Sequence, residues 1–405
     1  MRRGILVVGI WSLVIAPSAF ADTLAIRNAK IYTVSGGVIE GGTVLVGNGK
    51  IKAVGQSVAV PSDATVIDAT GKVVMPGIVD ANARFGVRGM SNEQASEITS
   101  SVRACCFIDP RSPHFKRVVQ AGVTTACITP GTANVVGGLC AVVKTSGSTV
   151  KDITLRDAVA VRAALGADVY AGNSSFRTFG GDALANIYAR RPNSRMATVW
   201  ELRQALFQAQ QAMVNGQKNN SSTINHQPLT MILKGDLPLR IHARIENDIR
   251  VALTIAEEFK LPRVILDEAS EAYKVADEIA ARQIPVVLGP FADPQYVSPE
   301  GAELCLNTAG ILADKGVKVA FGSNGGDATQ LLTWAAFAVR NGLKPDIALR
   351  AITLTAAEII GVADRVGSIE VGKDADLLIL NGEPLDVTTR IEKVIVNGRV
   401  VHGAE

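Results

Sequence analysis

The sequence has few cysteines, few aromatic residues and almost no net charge, and each scarcity excludes a class of protein. The five cysteines show no Cys-X-X-Cys spacing, so neither a disulfide framework nor a structural zinc site is indicated. We expect buried thiols, with a single bridge as the alternative in an oxidising compartment. Aromatic residues make up 5% of the chain and are scattered, which argues against a stacking surface for carbohydrate or nucleic acid. With 41 basic against 38 acidic residues, the chain also lacks the concentrated positive charge that nucleic acid or an anionic membrane requires.

No apolar run is long enough to span a membrane, but the N-terminus has the pattern of an export signal. Arg2 and Arg3 precede an apolar run of about 13 residues that ends at Ala16, and small residues follow up to Ala21. A bilayer requires roughly 20 apolar residues, so an uncleaved membrane anchor is the weaker alternative. We therefore expect a signal peptide over residues 1–21, cleavage after Ala21, and a periplasmic or secreted protein with no membrane attachment.

The two ends of the chain share a β-type pattern that is absent from the middle. Short apolar runs separated by glycine turns occupy residues 22–75 and 364–405. Gly47-Asn48-Gly49 and Asn397-Gly398 lie between such runs and are typical of β-hairpins. This similarity predicts one small β-sandwich that both chain ends build together.

The middle of the chain, residues 76–363, alternates between strand-type and helix-type segments. In one helix-type segment, apolar residues from Ile249 to Phe259 recur at a spacing of three and four. Such alternation over this length predicts an α/β fold with a parallel, TIM-like (β/α)8 barrel. An open doubly wound sheet is the alternative, weakened because no glycine-rich phosphate motif follows an early strand. The clearest strand-type runs are residues 123–128, 239–243, 263–266, 285–288 and 317–321.

Two motifs carry a resemblance to a known family. Val74 to Ala81 (VMPGIVDA) resembles the entry to the first barrel strand of the amidohydrolase superfamily, and Gly367 to Leu377 (GSIEVGKDADL) resembles its return to the sandwich. Ala121 to Thr125, Ile241 to Ala243 and Thr355 to Glu358 are similar to the imidazolonepropionase-related branch. The resemblance implies hydrolysis of non-peptide C–N bonds, often in cyclic amides. It also implies one or two divalent metal ions, commonly zinc, held by strand-end histidines, a lysine or acid, and an aspartate.

The metal-ligand positions that the resemblance implies are mostly substituted. Asn82 and Arg84 stand where the family has a His-X-His pair on the first strand, and a guanidinium has no lone pair to give to a metal. Arg162 replaces the lysine of the middle strands, and it cannot be carbamylated to bridge two metals. Asn324 replaces the aspartate of the last strand and cannot act as a base. Lys144 is nearby in sequence, but its relation to a ligand position stays open.

Two of these positions keep groups that could carry chemistry. His242 corresponds to the fifth-strand histidine, and it is the one histidine of four that ends a predicted barrel strand. Glu268 corresponds to the sixth-strand histidine, and a glutamate can also bind a metal. Arg244 adds a further cation where this branch often has a second histidine. We expect no metal and no cofactor, and we predict that His242, Glu268, Arg84 and Arg244 form a salt-bridged network in the former metal site.

Three functional hypotheses follow. The first is a non-hydrolytic binding or partner subunit, with a small anionic ligand bound by arginine, or with assembly as a homo-oligomer or beside an intact homologue. The second is an active C–N hydrolase with a mononuclear or metal-free site that uses His242 or Glu268 as the catalytic base. The third is a structural barrel without a small ligand, in which His242 is only a core residue.

Overall fold

The computed structural model describes residues 23–87, 91–93, 96–170, 173, 191–215, 226–289 and 302–403. The predicted signal peptide lies outside these residues. None of the helices in the described ranges combines the length and the apolar character needed to traverse a bilayer.

The described residues form sixteen strands and eleven α-helices. The strands are β1 (Thr23–Tyr32), β2 (Val38–Gly47), β3 (Lys50–Gly55), β4 (Thr65–Asp68), β5 (Val73–Pro76), β6 (Ile78–Ala83), β7 (Val123–Ile128), β8 (Val136–Lys144), β9 (Thr154–Ala164), β10 (Leu239–His242), β11 (Val264–Asp267), β12 (Val286–Leu288), β13 (Val319–Phe321), β14 (Leu377–Leu380), β15 (Ile391–Val396) and β16 (Arg399–His402). The helices are α1 (Pro113–Gln120), α2 (Val150–Ile153), α3 (Ala167–Tyr170), α4 (Arg195–Asn215), α5 (Gln227–Lys234), α6 (Glu246–Glu258), α7 (Ala276–Ala281), α8 (Thr308–Asp314), α9 (Leu331–Arg340), α10 (Pro345–Ala351) and α11 (Leu354–Ile359).

Both chain ends contribute to one eight-stranded sheet, as the sequence predicts. Its order is β16-β15-β14-β5-β1-β2-β3, and β4 pairs with β1. The antiparallel pair of β5 and β14 joins the two ends. Asn48-Gly49 and Asn397-Gly398 both turn with positive φ, which allows tight two-residue hairpins. Buried aliphatic residues of β1, β2 and β14 form the core of this sheet.

The middle of the chain forms the second eight-stranded sheet, in the order β13-β12-β11-β10-β9-β8-β7-β6. Its first and last strands meet where the backbone N–H of Asn324 donates to the carbonyl of Asn82 at 2.6 Å. The sheet is therefore a nearly closed, TIM-like barrel, and the fold prediction is confirmed. In α6, the buried face includes Ile249, Ala252 and Leu253, as the apolar spacing indicates.

One detail of the barrel prediction is wrong, because β8 runs antiparallel to both β7 and β9. Only residues 129–135 connect β7 to β8, and only residues 145–153 connect β8 to β9. A parallel connection needs a crossover of about a dozen residues or more, so these short connections reverse the chain. The reversal places Lys144 at the end of the barrel opposite the strand ends that carry His242. There it forms buried ion pairs with Asp374 and Asp376, away from the candidate site.

Candidate functional site

The C-terminal ends of the parallel barrel strands bring the predicted site residues together. Arg162 lies near the end of β9, His242 ends β10, and Glu268 follows β11. Asn82 lies near the end of β6 and Asn324 follows β13. In a barrel of this kind, strand ends and the loops after them form one face, which explains why residues distant in sequence converge. All five side chains belong to buried residues.

Glu268 is the centre of the site because three cationic side chains surround its carboxylate. Arg162 donates to Oε1 at 2.8 Å, and Arg244 donates to Oε2 at 2.9 Å. The Nδ1 atom of His242 lies 3.2 Å from Oε1, without the angle of a hydrogen bond. Burial alone would raise the pKa of Glu268, but the charges of His242, Arg162 and Arg244 lower it well below its usual value. Glu268 is therefore an ionised carboxylate, and both of its oxygens accept hydrogen bonds from arginine side chains.

Asp267 forms a second, fully buried part of the same network. Arg240 donates to both of its oxygens, at 2.9 and 2.7 Å, and Arg162 donates to Oδ2 at 3.1 Å. Arg162 thus links Asp267 to Glu268, and it also donates to the side-chain oxygen of Asn82 at 3.0 Å. The nearby negative charge of Asp267 raises the pKa of Arg240 against the effect of its burial.

Asp168 of α3 completes the network, because it contacts Arg244 and His242, which also contact Glu268. Arg244 donates to its Oδ1 at 3.0 Å, and the Nε2 atom of His242 lies 3.3 Å from its Oδ2. Burial lowers the pKa of His242, but the negative charge of Glu268 and the polar contact with Asp168 outweigh burial and raise it. The contacts with His242 and Arg244 in turn hold the pKa of Asp168 below its usual value, although burial opposes this. The two carboxylates beside His242 therefore favour the protonated form of its imidazole.

The predicted network is confirmed for His242, Glu268 and Arg244 and wrong for Arg84. The Arg84 guanidinium donates to the backbone and side-chain oxygens of Asn324, at 2.8 and 2.7 Å. Arg162 takes the place beside Glu268 that we predicted for Arg84. The physical reason is position: Arg84 follows the end of β6, next to the loop after β13, whereas Arg162 lies on β9, which pairs directly with β10.

These contacts do not fit a divalent metal ion. In the described part of the chain, no three His, Cys, Asp or Glu side chains are grouped so that they could hold one. The carboxylates of Glu268 and Asp267 accept hydrogen bonds from guanidinium groups, which repel a dication and have no lone pair to donate. Three arginines balance three acids here, and the raised pKa of His242 favours a further positive charge. The members of this balance are Arg162, Arg240, Arg244, Asp168, Asp267 and Glu268.

One cavity among the described residues beside Glu268 is also small. This cavity, which Glu268 lines together with Ser270, Leu288 and Thr308, has a volume of about 30 Å³. Ligand pockets in proteins usually have volumes of about 300–1,000 Å³. A cavity of this size holds a water molecule and not a cyclic amide.

Sequence reasoning missed three members of the network: Arg240, Asp267 and Asp168. Arg240 had a detectable signal, because it lies two residues before His242 on a buried strand and therefore on the same face. Asp267 directly precedes Glu268, and no spacing in the sequence pairs it with Arg240 or Arg162. Asp168 lies in a short helix after β9, and no spacing in the sequence connects it with His242.

Comparison with known proteins agrees with the fold and with the sequence motifs. The model of the amidohydrolase family matches residues 73–401. An amidohydrolase structure from Thermotoga maritima MSB8 is 30% identical, with a TM-score of 0.83, and the alignment covers 93% of this chain and 99% of that chain. An imidazolonepropionase from Rhizobium rhizogenes is 24% identical over 93% of this chain and 96% of its own length. Amidohydrolase tasK from Hapsidospora irregularis is 26% identical over 88% of this chain, which spans only 39% of that protein.

Proposed function

Because the chain belongs to the amidohydrolase family, we propose that it is a member that has lost metal-dependent hydrolysis and acts as a binding or partner subunit. Family membership is consistent with hydrolysis of C–N bonds. The observation that carries the proposal is that Arg162 and Arg244 each form an ion pair with one oxygen of Glu268. Where the resemblance implies a metal ion, buried guanidinium groups neutralise the carboxylates instead.

The contacts weigh against the alternative of a hydrolase that uses Glu268 or His242 as a base. A general base must accept a proton near the working pH. The lowered pKa of Glu268 makes its carboxylate a weak base, and both oxygens already accept hydrogen bonds. The raised pKa of His242 favours the protonated imidazole, which has no free lone pair. What these residues can do is hold charge and fix the positions of the strand ends.

Metal analysis of the purified protein tests the proposal. The protein is equilibrated with excess zinc, separated from free metal by gel filtration, and analysed by inductively coupled plasma mass spectrometry. We expect well below one zinc ion per chain, and no change in melting temperature when EDTA is added. Arg156→Gln, an exposed substitution on the same strand as Arg162, serves as the control for handling. The proposal would be overturned if the wild type bound one or two zinc ions per chain and had a chelator-sensitive hydrolytic activity, and if Glu268→Gln lost both.

The partner-subunit form of the proposal requires a surface for another protein, and α4 offers one. Trp200, Phe207 and Val214 recur every seven residues and are 57%, 49% and 77% exposed. Met196, four residues before Trp200, is 82% exposed on the same face. An exposed apolar stripe of this kind is typical of a protein interface, and we propose a second copy of this chain as the partner. Light scattering of the wild type and of Trp200→Ser distinguishes this from a monomer, and co-purification distinguishes it from pairing with an intact homologue.

Export to the periplasm or medium, with cleavage after Ala21, belongs to the same proposal. It rests on the charged, apolar and small-residue segments of the N-terminus. N-terminal sequencing of the protein recovered from the periplasm or medium tests it. We expect the mature chain to begin with Asp22 followed by Thr23, and a chain that still begins with Met1 would contradict cleavage.

A further inference from the structure

A groove lies apart from the charge network, between the turn that joins β1 to β2, helix α10 and the loop after β14. Its volume is about 720 Å³, which is well inside the range of ligand pockets in proteins. The residues that line it include no member of the network around Glu268. A ligand of this groove would therefore bind away from the former metal site.

The body of the groove is apolar. Its lining includes one aromatic ring and four aliphatic side chains, those of Tyr32, Val34, Val38, Leu349 and Leu385. Val38 is 46% exposed, so part of this apolar surface is open to water. An apolar group that covers the surface removes it from water, which favours binding. The groove therefore suits a ligand with an apolar body.

The Tyr32 ring is held in place before a ligand binds. Its hydroxyl donates to a carboxylate oxygen of Glu383, and the ammonium group of Lys30 lies 5.4 Å from the centre of the ring. The same ammonium group donates to the other Glu383 oxygen at 2.7 Å. Because these contacts fix the ring, a ligand that packs against it loses less free energy to ordering the site.

The charged side chains around the groove leave an excess of negative charge. Among the described residues, the lining contains one base and three acids. When every ion pair that connects to them is included, there are three bases and five acids. The bases are Lys30, Lys318 and Arg350, and the acids are Glu40, Asp346, Glu358, Glu383 and Asp386. This excess attracts a cation and repels an anion.

Asp346 and Asp386 carry the excess, since neither forms an ion pair within the described ranges. Oδ1 of Asp386 accepts hydrogen bonds from the backbone N–H and the hydroxyl of Thr388, both at 2.8 Å. These bonds lower the pKa of Asp386, so its carboxylate is ionised at neutral pH. Asp346 lies in the first turn of α10, and both acids are exposed. Water therefore screens their attraction for a cation, which makes its contribution modest.

We propose that this groove binds a small organic amine, with its apolar body against Tyr32 and Leu349 and its ammonium group beside Asp346 and Asp386. An ammonium group is strongly hydrated, and at the exposed edge of the groove it keeps part of its water. The inference goes beyond the proposed function, because the groove shares no residue with the former metal site.

Isothermal titration of the whole protein with phenethylamine, phenethyl alcohol and hydrocinnamate at neutral pH tests the proposal. The three probes share one apolar body and differ in charge. We expect saturable binding of the amine, weaker binding of the alcohol and the weakest binding of the carboxylate. Added sodium chloride should weaken binding of the amine and leave that of the alcohol almost unchanged. The absence of saturable amine binding, or equal affinities for the amine and the carboxylate, would overturn the proposal.

Asp346→Asn tests the charge, and Asp314→Asn is its matched control. Asp314 is an exposed aspartate at the end of α8 that does not line the groove. Asp346→Asn should weaken amine binding by about two- to fivefold, the effect of an exposed ion pair, and should not change alcohol binding. Asp314→Asn should bind both probes as the wild type does. Equal effects of the two substitutions on the amine would contradict the proposed site.

Val38→Asn tests the apolar body, and Val371→Asn is its control. Val371 is 66% exposed and does not line the groove, so both substitutions replace an exposed valine. Val38→Asn should weaken the amine and the alcohol alike, because both lose the same apolar contact. Thermal melts followed by circular dichroism check that all variants are folded. Wild-type affinities in Val38→Asn would show that the probes bind elsewhere.

Discussion

Arg162 donates to the carboxylate of Glu268 at 2.8 Å, and both side chains are almost completely buried. The same guanidinium donates to Asp267 and to the side chain of Asn82. One cation therefore connects three of the strand ends that form the barrel mouth. The site is therefore a network of paired charges, because each buried acid stays ionised only beside a buried positive charge.

Replacing Arg162 should destabilise the protein strongly. Arg162→Ala leaves Glu268 and Asp267 with fewer partners in a buried environment, and we expect a loss of about 3–5 kcal/mol in the free energy of unfolding. Urea denaturation followed by circular dichroism measures it. Arg156 lies on the same strand as Arg162 and forms an exposed pair with Asp364. Arg156→Ala should therefore cost less than about 1 kcal/mol. Equal losses in the two variants would contradict the importance of the buried pair.

Gly322 allows the first and last barrel strands to approach each other. A Cβ at this position would lie 2.6 Å from the Cβ and 2.7 Å from the backbone nitrogen of Asn82. Because the backbone cannot move aside cheaply, Gly322→Ala should cost at least about 2 kcal/mol, measured by urea denaturation. Gly55→Ala is the control, since its nearest neighbour would be 3.8 Å away. A Gly322→Ala protein with wild-type stability would show that the strands do not meet as described.

Asp374 should make the stability of the protein depend on acid pH. Burial opposes its ionisation, but hydrogen bonds from Arg365 and the charge of Lys144 lower its pKa from 3.8 to about 2. A lowered folded pKa gives stability that is present above about pH 4 and is lost as the pH falls towards 2. The difference in the free energy of unfolding between the wild type and Asp374→Asn should therefore shrink by about 2 kcal/mol as the pH falls from 4.5 to 2. Urea titrations across this range measure the difference, and a constant difference would refute the linkage.

An exposed cysteine and two buried cysteines should react with a thiol reagent at different rates. All five are free, so the predicted alternative of a single bridge is not found; the expectation of buried thiols is confirmed for Cys127 and Cys140 and wrong for Cys106, which is exposed. Cys106 is exposed, whereas Cys127 and Cys140 are fully buried on neighbouring barrel strands. We expect Cys106 to be labelled by a maleimide in the native protein, and Cys127 and Cys140 only after addition of denaturant. Mass spectrometry of peptides after timed labelling shows which sites react, and rapid native labelling of Cys127 would contradict its burial.

Much of the architecture was predictable because it depends on local patterns. The glycine turns at Asn48-Gly49 and Asn397-Gly398 mark hairpins whatever surrounds them. The apolar spacing from Ile249 onward marks one face of a helix. The reversed strand β8 was harder to predict, because a buried strand shows the same apolar run in either direction. Its short connections, residues 129–135 and 145–153, were the available signal.

The chemical groups at the strand ends can be read from the sequence alone: Asn82, Arg162 and Asn324 are not the groups that the family's metal chemistry uses. Which of these charges meet depends on the fold. Arg162 and Arg244 bind Glu268 while Arg84 binds Asn324, because pairing depends on the distances between strand ends. Those distances follow from strand order and register, which no residue specifies alone.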